Sequence, residues 1–179
     1  MRFSTMIKFT MSVVLALAVL GVVAQIGTIA TTGQVNRAQD ESNRRNNGIA
    51  YIENARTNMA DNARVFVISG LEEAMMDYFN QVYVNRDIEY GASLIADNGG
   101  TEDENKLVQQ SSEAGKITQE TEIHAMALAA LSREADFSAL PSDLENFQFS
   151  PEELAMDAEA QLQTASDLVF GETYSNSYK

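Results

Sequence analysis

Residues 9–30 read FTMSVVLALAVLGVVAQIGTIA, and no charge interrupts the run. Roughly 20 apolar residues are enough to cross a bilayer as one helix, so the run is long enough to span. Its polar members, Thr10, Ser12, Gln25 and Thr28, lie towards the two ends, where a polar side chain costs least. The flank before it, MRFSTMIK, holds Arg2 and Lys8 and no acid. The positive-inside bias keeps that end in the cytoplasm and puts everything after Ala30 outside. A cleaved signal peptide would share the basic start, and Thr28-Ile29-Ala30 is a passable cleavage site. The run exceeds the ~7–15 residues of a signal core, and the helical pattern continues beyond it. The reading is therefore an uncleaved anchor: 1–8 cytoplasmic, 9–30 transmembrane, 31–179 an extracytoplasmic domain.

Working outward, residues 35–66 repeat at a 3–4 spacing from Val35 to Phe66, with Ser42, Arg45 and Arg56 as polar interruptions of an apolar stripe. That pattern predicts one face of a bundle helix. Ser69-Gly70 ends the helix, Gly70 suiting the left-handed C-terminal position. A second helix is expected over 71–96, with Glu72 and Glu73 at its positive end and Met75, Tyr78, Phe79, Val82, Leu94 and Ile95 facing inward. Asp97-Asn98-Gly99-Gly100 is a turn. Thr101 and Glu104 form a capping box that opens a third helix, whose seam reads Leu107, Gln110, Ala114, Ile117, Thr121, His124, Leu128 and Leu131. The connection 136–149 holds a further Ser142–Glu145 capping pattern. Ser150-Pro151-Glu152-Glu153 starts a fourth helix running close to Lys179. Four helices of similar length with short links predict an all-α chain, an antiparallel up-down-up-down four-helix bundle continuing from the transmembrane helix. The fourth pass would return Tyr174, Tyr178 and Lys179 to the membrane interface, which suits Tyr and Lys.

Composition narrows the function. The net charge is −14, which repels phosphate backbones, so no nucleic-acid partner is expected. There is no Cys and a single His, so thiol chemistry is excluded. His124 on an apolar helix face reads as a seam residue, since a lone ligand does not make a metal site. The acids around Asp97 and Glu102 lack the spacing and placed glycine of an EF-hand. No Ser sits in a nucleophile elbow and no glycine-rich phosphate cradle occurs. Neither an enzyme, a metal nor a cofactor is expected.

Ala63-Arg64-Val65-Phe66-Val67-Ile68-Ser69-Gly70, followed by acids and Tyr78-Phe79, resembles the first hairpin of helical-bundle sensor domains in bacterial transmembrane receptors. Residues 122–128 (EIHAMAL), Leu140-Pro141, Phe149-Ser150-Pro151-Glu152-Glu153 and 168–174 (LVFGETY) resemble the second hairpin of methyl-accepting chemotaxis receptors. The resemblance implies an extracytoplasmic ligand-binding sensor on the bacterial inner membrane, in the periplasm or outside the cell. Ligand state would pass through helix displacements of ~1–2 Å. Such a receptor continues through a second membrane helix into a signalling rod, and the output activity is not implied for these 179 residues. The alternative is a membrane-anchored structural or adaptor bundle without a ligand.

Within this frame Arg56 is the candidate grip for a small anionic ligand, its planar fork matching a carboxylate. Tyr78, Tyr83 and His124 are its expected neighbours across the bundle. Arg64 and Gly70 are assigned to the hairpin tip, Arg64 reaching for Glu72 and Glu73. The polar stripe of the first helix, Ser42, Arg45 and Arg56, suggests a homodimer formed through that helix.

Overall fold

Both prolines stand at helix starts, Pro141 before one short helix and Pro151 in the first turn of another, so neither breaks a backbone ladder from within. The structure, a computed structural model, describes the backbone of residues 3–172 and 174 and the side chains of 31–172 and 174. All regular structure among these residues is helical, without a strand. The elements are α1 (Phe3–Ser69), α2 (Glu72–Asn80), a π-helical turn (Gln81–Asn85), α3 (Asp87–Asp97), α4 (Glu102–Ser132), a 3-10 turn (Phe137–Ala139), α5 (Ser142–Glu145), α6 (Pro151–Leu154) and α7 (Ala158–Phe170).

The chain divides into two compact units, Met1–Asn43 and Arg44–Lys179. In the first, the described side chains belong to α1, and Arg37 pairs with Glu41 one turn away at 3.0 Å on an open surface. The second unit holds the core. Its apolar cluster draws Met59, Ala63 and Phe66 from α1, Met75 and Phe79 from α2, Ala125–Ala130 from α4, Leu144 from α5, and Ala165 and Val169 from α7.

Local signals place the helix ends. Thr101 accepts from the Glu104 N–H at 3.2 Å while Glu104 accepts from the Thr101 N–H at 2.7 Å. Ser150 and Glu153 repeat the reciprocal pair. The Ser142 pattern differs: Pro141 holds the cap position of α5 and no side chain caps it.

Two expected helices are divided. The helix expected over 71–96 changes to a π turn at Gln81, then Arg86 adopts φ 52° before α3 begins. Val82, Tyr83 and Val84 are indifferent helix formers, and Asp87 and Glu89 favour a fresh N-terminus. The helix expected from Ser150 breaks after α6 because the Asp157 carboxylate accepts from the Ala160 N–H at 2.8 Å, an N-cap that restarts the helix as α7.

Seam register also departs from the sequence reading. On α4, Leu107 and Ile117 are 63% and 67% exposed, while Thr118, Glu122 and Ala125 are buried. The inward stripe runs one position later because Gly115 receives the Arg56 side chain. On α1, Gly48 is buried and Ile49 exposed, since Gly48 meets Gly91 of α3 backbone to backbone.

The expected localisation, a single-pass protein of the inner membrane, is corrected. Among the described residues no helix is long and apolar enough to cross a membrane. The part of α1 whose side chains are described carries charges throughout, and the apolar stretch of α4, 125–131, falls far short of ~20 residues. The run 9–30, on which the anchor rested, lies outside the residues whose side chains are described, as do Tyr178 and Lys179. Tyr174, expected at an interface, is buried in the core.

Candidate functional site

The four residues expected to surround a ligand occupy separate places, each with its own partner. Arg56 lies between α1 and α4. Its guanidinium donates to the Ser111 hydroxyl at 2.9 Å and to the Ser111 carbonyl. Gly115 makes this approach open, since a Cβ there would stand 2.6 Å from the guanidinium. Arg56 has no carboxylate within ion-pair distance among the described residues, and its Nε is buried without a partner.

Tyr78 is fully buried and donates to Glu122 at 2.9 Å. Glu122 also accepts from the Tyr174 hydroxyl at 2.5 Å. A buried carboxyl group is costly unless hydrogen-bonded, and here one group from α4 ties together α2 and the segment after α7. Tyr83 instead stands in the π turn, half exposed, stacked on Phe79 and donating to Asp143 of α5. Burial, followed by the carboxylate of Asp143, raises the Tyr83 hydroxyl above the ordinary tyrosine pKa. His124 contacts Glu153 at 2.5 Å and stacks on Phe147. The Ser150 N–H, and secondarily His124, hold the Glu153 carboxyl below the usual carboxylate range.

Arg64 faces α7. It donates through Nε to the Val169 carbonyl at 3.1 Å, pairs with Asp61 at 3.3 Å, and lies over the Phe170 and Tyr174 rings. The place over Gly70, which takes φ 68°, is filled by Arg133. Arg133 donates to the carbonyls of Val67 at 2.7 Å and Ile68 at 3.3 Å and to Ala129 at 2.9 Å. These are carbonyls that helix ends leave open, so one side chain closes the C-termini of α1 and α4 together. Nothing local marks Arg133 in the sequence; only its position just past α4 hints at a cap.

A cleft of about 550 Å³ opens between α1 and the junction of α2 with the π turn. Asn58 and Asn62 line it from α1; Asp77, Asn80, Gln81 and Asn85 line it from the other side, with Val84. Gln81 is buried and fixed: its Nε2 donates to Asp87 at 3.1 Å and its Oε1 accepts from Asn85 at 3.2 Å. The remaining polar groups, Asn58, Asn62, Asp77 and Asn80, make no side-chain hydrogen bond or ion pair among the described residues. In the sequence, Asn58/Asn62 and Asp77/Gln81 are polar pairs at one-turn spacing, which reads as solvated helix surface. Among the described residues no cluster of His, Asp or Glu is arranged to hold a metal.

Comparison with protein-family models, with curated proteins and with solved structures finds no match. The likeness to chemotaxis receptors therefore rests on the quoted motifs alone.

Proposed function

We propose that the chain is a ligand-sensing helical module in which α1, α2 with α3, α4, and α6 with α7 make the four passes of an antiparallel bundle. Ligand binding shifts the second pass against the first. The observation that carries this reading is the coincidence of the polar cleft with the break in the second pass. α1 is continuous beside it, whereas the facing wall is a π turn followed by a left-handed residue, Arg86. A π turn holds one residue more than the α-helical turn it replaces and is often found where function requires it. Exchange between the two would rotate α3 relative to α2, which is the kind of discrete two-state element a sensor needs.

A small-molecule library screened by thermal shift on the full chain tests this. A binder should slow amide hydrogen exchange across 80–88. A library without binders, or binders that leave those amides unchanged, would favour a structural bundle without a ligand.

A second reading keeps an anionic ligand at Arg56, favoured by its missing counter-ion and its unpaired Nε. Arg56→Ala should then abolish the ligand-induced rise in melting temperature; equal binding by the variant rejects that site. Pairing of two copies through α1 belongs to the same proposal, with Ile49 exposed on that helix. Arg45 and Arg56 are engaged within the chain, Arg45 donating to the Asn98 carbonyl at 2.9 Å, so apolar contact would have to drive it. Sedimentation that stays monomeric at all concentrations excludes the dimer.

A further inference from the structure

We infer that the cleft over the π turn binds a small protonated amine carrying hydroxyl groups, the ammonium on Asp77 and the hydroxyls on the surrounding carboxamides. The inference rests on the sensing reading above and gives its site a ligand class. Three observations lead to it. Asp77 is the one charged residue in the lining, so the cleft offers an anion and no cation. A carboxylate or phosphate ligand would meet repulsion with nothing opposite to offset it, while an ammonium finds a partner. The net charge of −14 adds a field that draws cations towards the whole molecule.

The second observation is the carboxamides. Each Asn or Gln offers an acceptor oxygen and two donor hydrogens, which is the complement of a polyol, whose hydroxyls both donate and accept. Asn85 gives its Nδ2 to Gln81, leaving its Oδ1 to accept. With the Asp77 oxygens this tips the lining towards acceptors and favours a donor-rich ligand. Val84 is the sole apolar member, too little for an aromatic or aliphatic ligand. The volume, about 550 Å³, is in the range of small-molecule sites.

The third is the way the π turn assembles the wall. In an α-helix, with 3.6 residues per turn, Asn80 and Asn85 would point about 140° apart. The turn closes with i to i+5 bonds, the Arg86 N–H reaching the Gln81 carbonyl at 3.1 Å. Residues five apart then come onto one side, and Asn85 joins Asp77 and Asn80 in the lining. Gln81 beneath them is held from two sides before any ligand arrives, which spares part of the ordering cost of binding.

The test titrates the full chain in phosphate buffer, since Tris is itself an amino polyol. The probes are glucosamine and serinol as amines, glucose and glycerol as their neutral counterparts, and gluconate as the anion. Binding is followed by saturation-transfer NMR and thermal shift. The amines should bind about two- to fivefold more tightly than the neutral counterparts, the worth of one ion pair with an exposed carboxylate. Gluconate should not bind. Asp77→Asn should bring the amines down to the level of the neutral probes and leave glucose unchanged. Asn58→Ala with Asn80→Ala should weaken amines and neutral probes alike. All three positions are exposed, and circular dichroism checks that each variant keeps its helices. Amines that do not bind, that bind Asp77→Asn as well as the parent, or that bind no better than gluconate overturn the inference. If the amines fail while another library compound slows exchange across 80–88, the ligand class falls and the sensing reading stands. If amines bind through Asp77 without changing exchange there, the class stands and the sensing reading falls.

Discussion

Replacing Gly48 by Ala should destabilise the protein, although the same change in an open helix is stabilising. An ideal Cβ on Gly48 would lie 2.5 Å from the Gly91 carbonyl oxygen and 2.9 Å from Ile95 Cγ1; one on Gly91 would lie 2.4 Å from the Gly48 oxygen and 2.8 Å from Ile52 Cγ1. Carbon–oxygen contacts settle at roughly 3.3–3.6 Å, so α1 and α3 must part locally by about 1 Å. The obstacle is backbone in both directions and cannot rotate away. Overpacking of this kind costs about 1–3 kcal/mol, against a helix-propensity gain of about 1 kcal/mol for Gly to Ala. The net loss should be up to about 2 kcal/mol for either variant, about 1 kcal/mol at the middle of the range. The double variant should lose less than the two single losses combined, because one separation relieves both contacts. Urea unfolding followed by circular dichroism measures all three. Gly33 is the control: a methyl group added there would meet nothing within 4 Å, so Gly33→Ala should slow amide exchange in its own helical stretch. Gly48→Ala behaving as a stabiliser would show that α1 and α3 do not meet through these glycines.

Arg133→Ala should lower stability by about 2 kcal/mol, since it opens the bonds to three helix-end carbonyls at once; an unchanged urea midpoint would count against this closure. Tyr174→Phe should cost about 2 kcal/mol by removing one donor from buried Glu122, and a double-mutant cycle with Tyr78→Phe should show coupling through the shared carboxyl group, with strict additivity as the contrary result. Glu153 has its carboxyl held below the unfolded value, so the unfolded chain takes up the proton first as pH falls. Its contribution is complete above about pH 5 and is lost through the window below about pH 4. Glu153→Gln should flatten the acid limb of the stability profile, and an acid limb identical to the parent's would place that dependence elsewhere.

What could be read from the sequence was local. The capping boxes at Thr101 and Ser150 need only residues three apart, and both form. The inward positions Met75, Tyr78 and Phe79 follow from one helix turn and are buried. What could not be read depended on a second helix. Leu107 and Ile117 fit an apolar stripe as well as any residues of α4, yet they face outward, because the space on the facing side is taken by Arg56 packed over Gly115. The weak helix formers at 82–84 allow a break there, but its form, with Gln81 bonded to both Asp87 and Asn85, leaves no trace in the periodicity. The cleft was hidden for a similar reason: Asn58 and Asn62 belong to one helix and Asp77 and Asn80 to another, and each pair alone looks like wetted surface.

Glu122 is the instructive intermediate case. It stands one turn before Ala125 and two before Ala129, on a stripe that becomes wholly buried. An acid at such a position implies donors supplied by other elements, because the desolvation of an unpartnered carboxyl group would exceed what the neighbouring alanines gain by burial. Tyr78 and Tyr174 are among those donors. Tyr174 was read as an interfacial residue because a fourth antiparallel pass would return the chain to the membrane, where Tyr is favoured. The unmet requirement of Glu122, 52 residues earlier in the chain, was the signal that placed that tyrosine in the core.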